Sequence, residues 1–411
     1  MNFTLLSRTK LPFWEILLII YLFAAYLVPS FSLDSTTLLL LLLLAYCAYM
    51  MFIDRELMPI IAISIGLILL ISLFYALLTD MTTIAENASN RAAKTFLATT
   101  YQYLSLYFPA FLFFRINRIA TKRQKQTFAV IGIALMVYVI ITTWLYLLQN
   151  PDATRHWEDF NETSELNVAN YYFVYAVPII ISAISIFMLK YRGVVRYLSL
   201  ALVIVGIIFL VNAQYTLAIL IAIIGVLVQV FRHIKTTLTK ALFLLAVLAV
   251  AFFLPQLLEF AIRTIPSEQV SIRLNEIRTF LTGQGASGYN LSGRLTLYGK
   301  TIVAFLKSPV WGNRHLDFNG HATFLTVLAD TGILGGFPFY ALLISICRHM
   351  KKQLGVHQAQ FGVIILMFVM MGLTNPIHAS LPLGLTTWFL APLTIQLIFK
   401  EVPQNGQALE N

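Results

Sequence analysis

One stretch of this chain gathers residue types suited to chemistry on an anion. Leu291-Ser292-Gly293-Arg294 leads into a helical segment, followed by Ser308-Pro309-Val310-Trp311-Gly312, then Gly320-His321, then Asp330-Thr331-Gly332. Arginine offers a planar fork of donors that grips phosphate bidentately, and a helix N-terminus adds free amides and partial positive charge. A neutral imidazole accepts a proton from a hydroxyl near pH 7, which makes His321 a candidate general base. The bland alternatives are an arginine resting on a lipid headgroup and an interfacial histidine bonded to backbone. Asp330 lies nine residues beyond His321, about 13 Å deeper at the helical rise. An ionisable group at such depth faces a polar cavity or a partner, so Asp330 reads as relay, packing partner or both.

The elements that must position these groups can be read from the same region. Leu295, Tyr298, Ile302, Phe305 and Leu306 recur at helical spacing, with Lys300 and Lys307 on the opposite face and Pro309 as the stop. Gly283, Gly285, Gly288 and Gly293 precede this amphipathic helix. It reads either as a surface helix packing on the membrane or as a lid that carries Arg294 at its N-terminus. The surrounding segment 259–320 holds Arg263, Arg273, Arg278, Arg294, Lys300, Lys307 and Arg314 against Glu259, Glu268, Glu276 and Asp317. That excess marks an anion site, with Arg294 and His321 as the catalytic candidates and Arg278, Arg273, Arg314 and Lys300 as substrate-binding ones. His156, His315, His321 and His378 form no HExxH or CxxC-type pattern, so neither a metal nor another cofactor is expected.

Composition sets the frame for that site. The 411 residues are 59% hydrophobic and only 11% charged, with a mean hydropathy of +0.80. Soluble domains carry about 25% charged residues, so the chain is an all-α, polytopic membrane protein. Its apolar runs divide into about twelve spans, centred near Ile20, Leu43, Leu67, Leu106, Val137, Ile180, Val205, Ile223, Leu248, Leu334, Met367 and Leu390. Short loops rich in Arg115, Arg118, Lys122, Arg123 and Lys125, in Lys190, Arg192 and Arg196, in Arg232, Lys235 and Lys240, and in Arg348, Lys351 and Lys352 define a cytoplasmic side. The net charge of +10 therefore belongs to topology and anionic membrane lipid, and points to no nucleic acid. Segments 79–94, 150–167 and 259–320 fall outside, the last long enough to be functional in itself and placed before the tenth span. The N-terminal apolar run has no small-x-small cleavage site and reads as a retained helix. Cys47 and Cys347 lie within spans, away from any outer disulfide. The whole chain, 1–411, is expected to form one integral membrane domain with 259–320 as its catalytic region.

The order Ser292-Gly293-Arg294, amphipathic helix, Ser308-Pro309-x-x-Gly312, His321 with Phe324-Leu325, and Asp330-Thr331-Gly332-Ile333-Leu334-Gly335 resembles the signature region of the bacterial O-antigen polymerase and ligase superfamily. The resemblance covers roughly residues 291–336 and extends elsewhere only through topology. It implies a metal-independent glycosyltransferase of GT-C type architecture in the bacterial inner (cytoplasmic) membrane, acting on the extracytoplasmic side. Its donor would be an undecaprenyl-diphosphate-linked glycan. Carried over by position, Arg294 would meet the donor diphosphate and His321 the acceptor hydroxyl. The preferred reading is a polymerase of O-antigen or capsular polysaccharide, with glycan as acceptor; the alternative is an O-antigen ligase, with lipid A core of lipopolysaccharide as acceptor. Many members carry Asn where this chain has Ala322, and an arginine in the outer turn that here reads Asn212-Ala213-Gln214-Tyr215-Thr216. Either Arg91, Lys94 or another loop residue would then replace that charge, or the diphosphate would be bound differently. A lipid-linked sugar flippase is the competing class, suggested by Asp54-Arg55 where major-facilitator carriers place a Gly-x-x-x-Asp-Arg motif. Met50 stands at the glycine position and Glu56-Leu57-Met58 follows, so Asp54-Arg55 reads instead as a helix-end ion pair.

Overall fold

The computed structural model describes residues 11–31, 36–80, 88–150, 154, 166–264, 271–272, 274–275, 278–279, 282, 292–313 and 322–398, with backbone alone at 79–80, 88–92, 292–295 and 398. Within them the chain is all helical. The elements are α1 (Phe13–Leu27), α2 (Thr36–Ile53), α3 (Met58–Asp80), α4 (Ala88–Ile119), α5 (Lys122–Leu147), α6 (Tyr171–Lys190), α7 (Val194–Asn212), α8 (Thr216–His233) and α9 (Thr237–Thr264). They continue as α10 (Ser292–Lys307), α11 (Thr323–Leu354), α12 (Gln358–Thr374) and α13 (residues 381–398), which includes a π-helical turn at Thr386–Leu390. Every span centre read from the sequence falls inside one of these helices. Among the described residues, eight helical stretches are long and apolar enough to cross a membrane, so the chain is a multi-pass membrane protein. The last of the eight, Thr323–Thr374, holds both α11 and α12, while Phe13–Leu27 and Leu381–Leu397 are shorter apolar helices.

Local chemistry fixes several starts. Thr121 and Gln124 form a reciprocal capping box at α5, Asn170 accepts from the Phe173 amide at α6, and Ser380 accepts from the Leu383 amide at α13. The bundle is built around α6, buried along 78% of its membrane-length core, with α7, α8 and α13 against it. Rings from α1, α4, α12 and α13, among them Phe23, Phe108, Phe368 and Trp388, meet edge to face in this interior. By contrast none of the apolar core of α9 is buried.

The two ends of the bundle differ in chemistry. At one end the fully buried Glu15 of α1 accepts from Tyr46 of α2 at 2.5 Å and from Arg115 Nε of α4 at 3.2 Å. Arg118 reaches Asp54 at 2.8 Å and Glu56 at 2.9 Å, and Arg115 lies 3.8 Å from Asp54. Asp54 is thus paired with α4 and not with its neighbour Arg55, because α4 presents its cations directly to the α2–α3 turn. Asn117 donates to Gln353 of α11 at 3.1 Å, and Phe114 packs on the His349 ring, so the basic segments around 115–125 and 348–352 share this end. At the opposite end neutral groups join the helices around α6: Ser30 to Asn167, the Ala169 amide to Thr143 at 2.7 Å, and Tyr215 to the Thr154 carbonyl at 2.8 Å.

Candidate functional site

At this second end the motif residues around α10 and α11 become one unit through their backbone. Helix α11 breaks at Gly332, whose φ of 61° and ψ of −162° lie in a region open only to glycine. In an unbroken helix the Ile333 amide would donate to the Ala329 carbonyl. Here each finds another partner: Ile333 N–H donates to the Pro309 carbonyl at 2.8 Å, and the Ala329 carbonyl accepts from the Asn313 amide at 2.6 Å. The Leu334 amide donates to the Val310 carbonyl at 3.3 Å. The strap Ser308–Asn313 therefore takes up both groups of one helical bond and the amide of the next, as apolar surroundings demand. Contact is backbone to backbone. A Cβ on Gly312, which has φ +81°, would sit 2.2 Å from the Asp330 oxygen, and one on Gly332 would sit 2.2 Å from the Val310 oxygen.

Helix α10 follows the sequence reading in extent, ending at Lys307 before Pro309. The face that meets α11 differs from the apolar face read in the sequence, which stays outward as a membrane-surface helix requires. Thr301 and Ala304 are buried, Ala304 against Ala329 of α11, and Phe305 is half-buried, whereas Ile302 and Leu306 of the proposed apolar face are 47% and 67% exposed. The small side chains at 301 and 304 let the helix approach α11 closely and leave the larger apolar groups outward. Asp330 is half-buried, with the Tyr75 hydroxyl of α3 at 3.5 Å, which gives the packing-partner part of its reading a residue.

The start of α11 is tied into a second set of groups that the sequence did not single out. Thr323 Oγ1 donates to the Asn375 carbonyl at 3.1 Å and accepts from the Ile377 amide at 2.7 Å, closing the α12–α13 turn onto α11. His378 Nδ1 lies 3.5 Å from the same hydroxyl. Burial pushes His378 down to about 4, so the ring is neutral near pH 7. Asn375 Oδ1 accepts from Tyr171 at 2.7 Å, and Tyr171 packs edge-on against Tyr215 of the turn between α7 and α8. That turn is tightened by Gln214, a buried residue at φ 59°. The site's own signals were Asn375-Pro376, a turn dipeptide, and Thr323, two residues past His321.

The expected site residues divide accordingly. His321, Arg273 and Arg314 lie outside the described residues, and the backbone places Arg294 in the first turn of α10 and Arg91 in the first turn of α4. Ala322, next to His321, is buried, so the chain enters α11 beside the Thr323–Asn375 junction. Lys300 is exposed. Arg278 is held at 3.5 Å by Glu259, which also pairs with Arg263, so part of the positive excess of segment 259–320 is offset within it. The Nε of Arg278 is nonetheless buried with no hydrogen-bond partner among the described residues. No protein-family model matches the sequence, and no curated protein is found similar to it.

Proposed function

We propose that this protein is a metal-independent membrane glycosyltransferase that polymerises undecaprenyl-diphosphate-linked repeat units on the extracytoplasmic side. The observation that carries this reading is the interlock of Ser308–Asn313 with the break in α11. It makes one rigid unit of the helix whose first turn holds Arg294 and the helix that begins just after His321. A site acting on a diphosphate leaving group needs such fixed spacing between cation and base. Arg294, with Arg278 and the outer cations Arg273, Arg314, Lys300 and Arg91, would hold the diphosphate. His321 would take the proton of an acceptor hydroxyl while its oxygen bonds to the anomeric carbon of the donor. The bond from that carbon to phosphate breaks, undecaprenyl diphosphate leaves with the electron pair, and a single displacement inverts the centre. A twelve-span GT-C type architecture supplies apolar walls through which the lipid enters sideways.

The test is purified protein with a lipid-linked repeat unit, read as a ladder of chain lengths. His321→Ala is expected to lower the rate about 100- to 10,000-fold, and His321→Gln separates orientation from basicity by keeping one hydrogen bond. A ladder from His321→Ala at more than about a tenth of the wild-type rate removes His321 as general base. Transfer only onto added lipid A core would make the protein a ligase. Relocation of the lipid-linked unit with no new glycosidic bond would make it a flippase.

A further inference from the structure

A cleft of about 530 Å³ opens at the other, charged end of the bundle, between the start of α3 and the second half of α11. Its wall on α11 is one helical face, Phe337, Ala341, Ile344, Ser345, Arg348 and Lys352, at spacings of three and four residues. The upper part is apolar, closed by Ile60 of α3 and by Tyr340. The lower part is cationic, with Arg348 and Lys352 one turn apart and His349 beside them, and no carboxylate lines it.

Two further observations say what such a cleft suits. The nearby carboxylates are already committed, Glu15 to Arg115 and Asp54 and Glu56 to Arg118, and neither Arg348 nor Lys352 has an ion pair among the described residues. The length also fits. From Phe337 to Arg348 the helix rises about 16 Å, close to half of the roughly 30 Å hydrocarbon core. The apolar wall thus spans one leaflet, and the cations begin where its headgroups lie. Phe337 and Ile344 are 71% and 47% exposed, open for an acyl chain to cover.

We propose that this cleft binds one anionic phospholipid of the leaflet at the charged end, its phosphate on Arg348 and Lys352 and an acyl chain along Phe337, Ala341 and Ile344. By the positive-inside rule that leaflet is the cytoplasmic one. The site is separate from the glycosyltransferase reading and stands or falls without it.

Binding is measured on the full-length protein in a neutral detergent by native mass spectrometry, with phosphatidylglycerol, phosphatidylcholine and glycerol phosphate as probes. Phosphatidylglycerol is expected to bind, and the double variant Arg348→Gln/Lys352→Gln to bind it about thirty-fold more weakly, from the loss of two headgroup contacts. Ala341→Trp, which fills the apolar wall and leaves the charge unchanged, is expected to lose binding too. Lys351→Gln, one residue off the cleft, is expected to bind as the wild type does. Four results would each overturn the proposal: a double variant that binds like wild type, Lys351→Gln weakening binding as much as the double variant, equal binding of phosphatidylcholine, or glycerol phosphate competing on equal terms.

Discussion

Gly332→Ala tests the interlock between α10 and α11 directly. The native φ and ψ at this position cost a side-chain-bearing residue about 1–3 kcal/mol. Space adds to that cost, because the new Cβ would lie 2.2 Å from the Val310 oxygen and 2.6 Å from the Gly312 amide nitrogen, both backbone atoms. The strap must lift. Lifting breaks the bonds from Ile333 to Pro309, Leu334 to Val310 and Asn313 to Ala329, each worth about 1 kcal/mol net. The sum, about 4–6 kcal/mol, is comparable to the whole stability of many domains. Thermal melting in detergent reads the loss, and hydrogen exchange at the Ile333, Leu334 and Asn313 amides reads its location. Gly299→Ala is the control: a Cβ there meets nothing within 4 Å, so the substitution should be neutral or stabilise α10 by up to about 1 kcal/mol. If Gly332→Ala melts within about 1 kcal/mol of wild type and those three amides stay protected, the interlock of the strap with α11 is wrong.

The remaining predictions concern three other places. His378 has a folded-state value of about 4 against an ordinary 6.5, so the unfolded chain binds more protons between those pH values. Stability contributed by the neutral ring is therefore complete above about pH 6.5 and is lost as pH falls towards 4, by at most about 3 kcal/mol; melting across that range should flatten in His378→Gln. Arg115→Leu strands the buried Glu15 and should cost about 3–5 kcal/mol, while Arg55→Leu, exposed beside the same network, should cost under about 0.5 kcal/mol; equal melting shifts for the two would discount the pairing. In the polymerisation assay Arg294→Lys should lose nearly as much activity as Arg294→Ala, about ten- to a hundred-fold, because a point charge does not replace a bidentate fork. A near-normal glycan length distribution from Arg294→Ala would remove the residue from the site.

Helix positions were legible because each span is a long apolar run between polar punctuation, and the bilayer admits little else. The end of α10 was legible for a similarly local reason, since Pro309 cannot continue a helix. What sequence reading did not reach is pairwise geometry. Ser308–Gly312 and Asp330–Gly332 were both visible as motifs, yet that Gly312 faces the Asp330 carbonyl depends on how two helices cross. The same holds for Asp54, whose adjacent Arg55 suggested a local pair while α4 supplied Arg118 from 64 residues away. Which side of α10 meets α11 was not legible because apolar periodicity marks two environments at once in a membrane. Ile302 and Leu306 satisfy lipid as well as protein, and only small Thr301 and Ala304 mark the side that touches α11. Thr323, Asn375 and Tyr171 carry only local signals, such as the Asn375-Pro376 turn, and nothing in the sequence says that these single polar groups join across the bundle.

Helix α9 stands apart in what governs its sequence. With Leu258 its one buried residue, its side chains are sorted by the bilayer and hardly by neighbours. Exchanges among Leu, Val, Phe and Ala along it should be nearly silent in melting and in activity, where the same exchanges in α6 would open cavities. Its length and its two wet ends are what the rest of the molecule depends on, since it returns the chain to the side where segment 259–320 begins. A helix of this kind behaves as a measured tether, free to drift in composition between related chains while its span is held constant. That freedom also leaves comparisons of residues along α9 with little family signal to find.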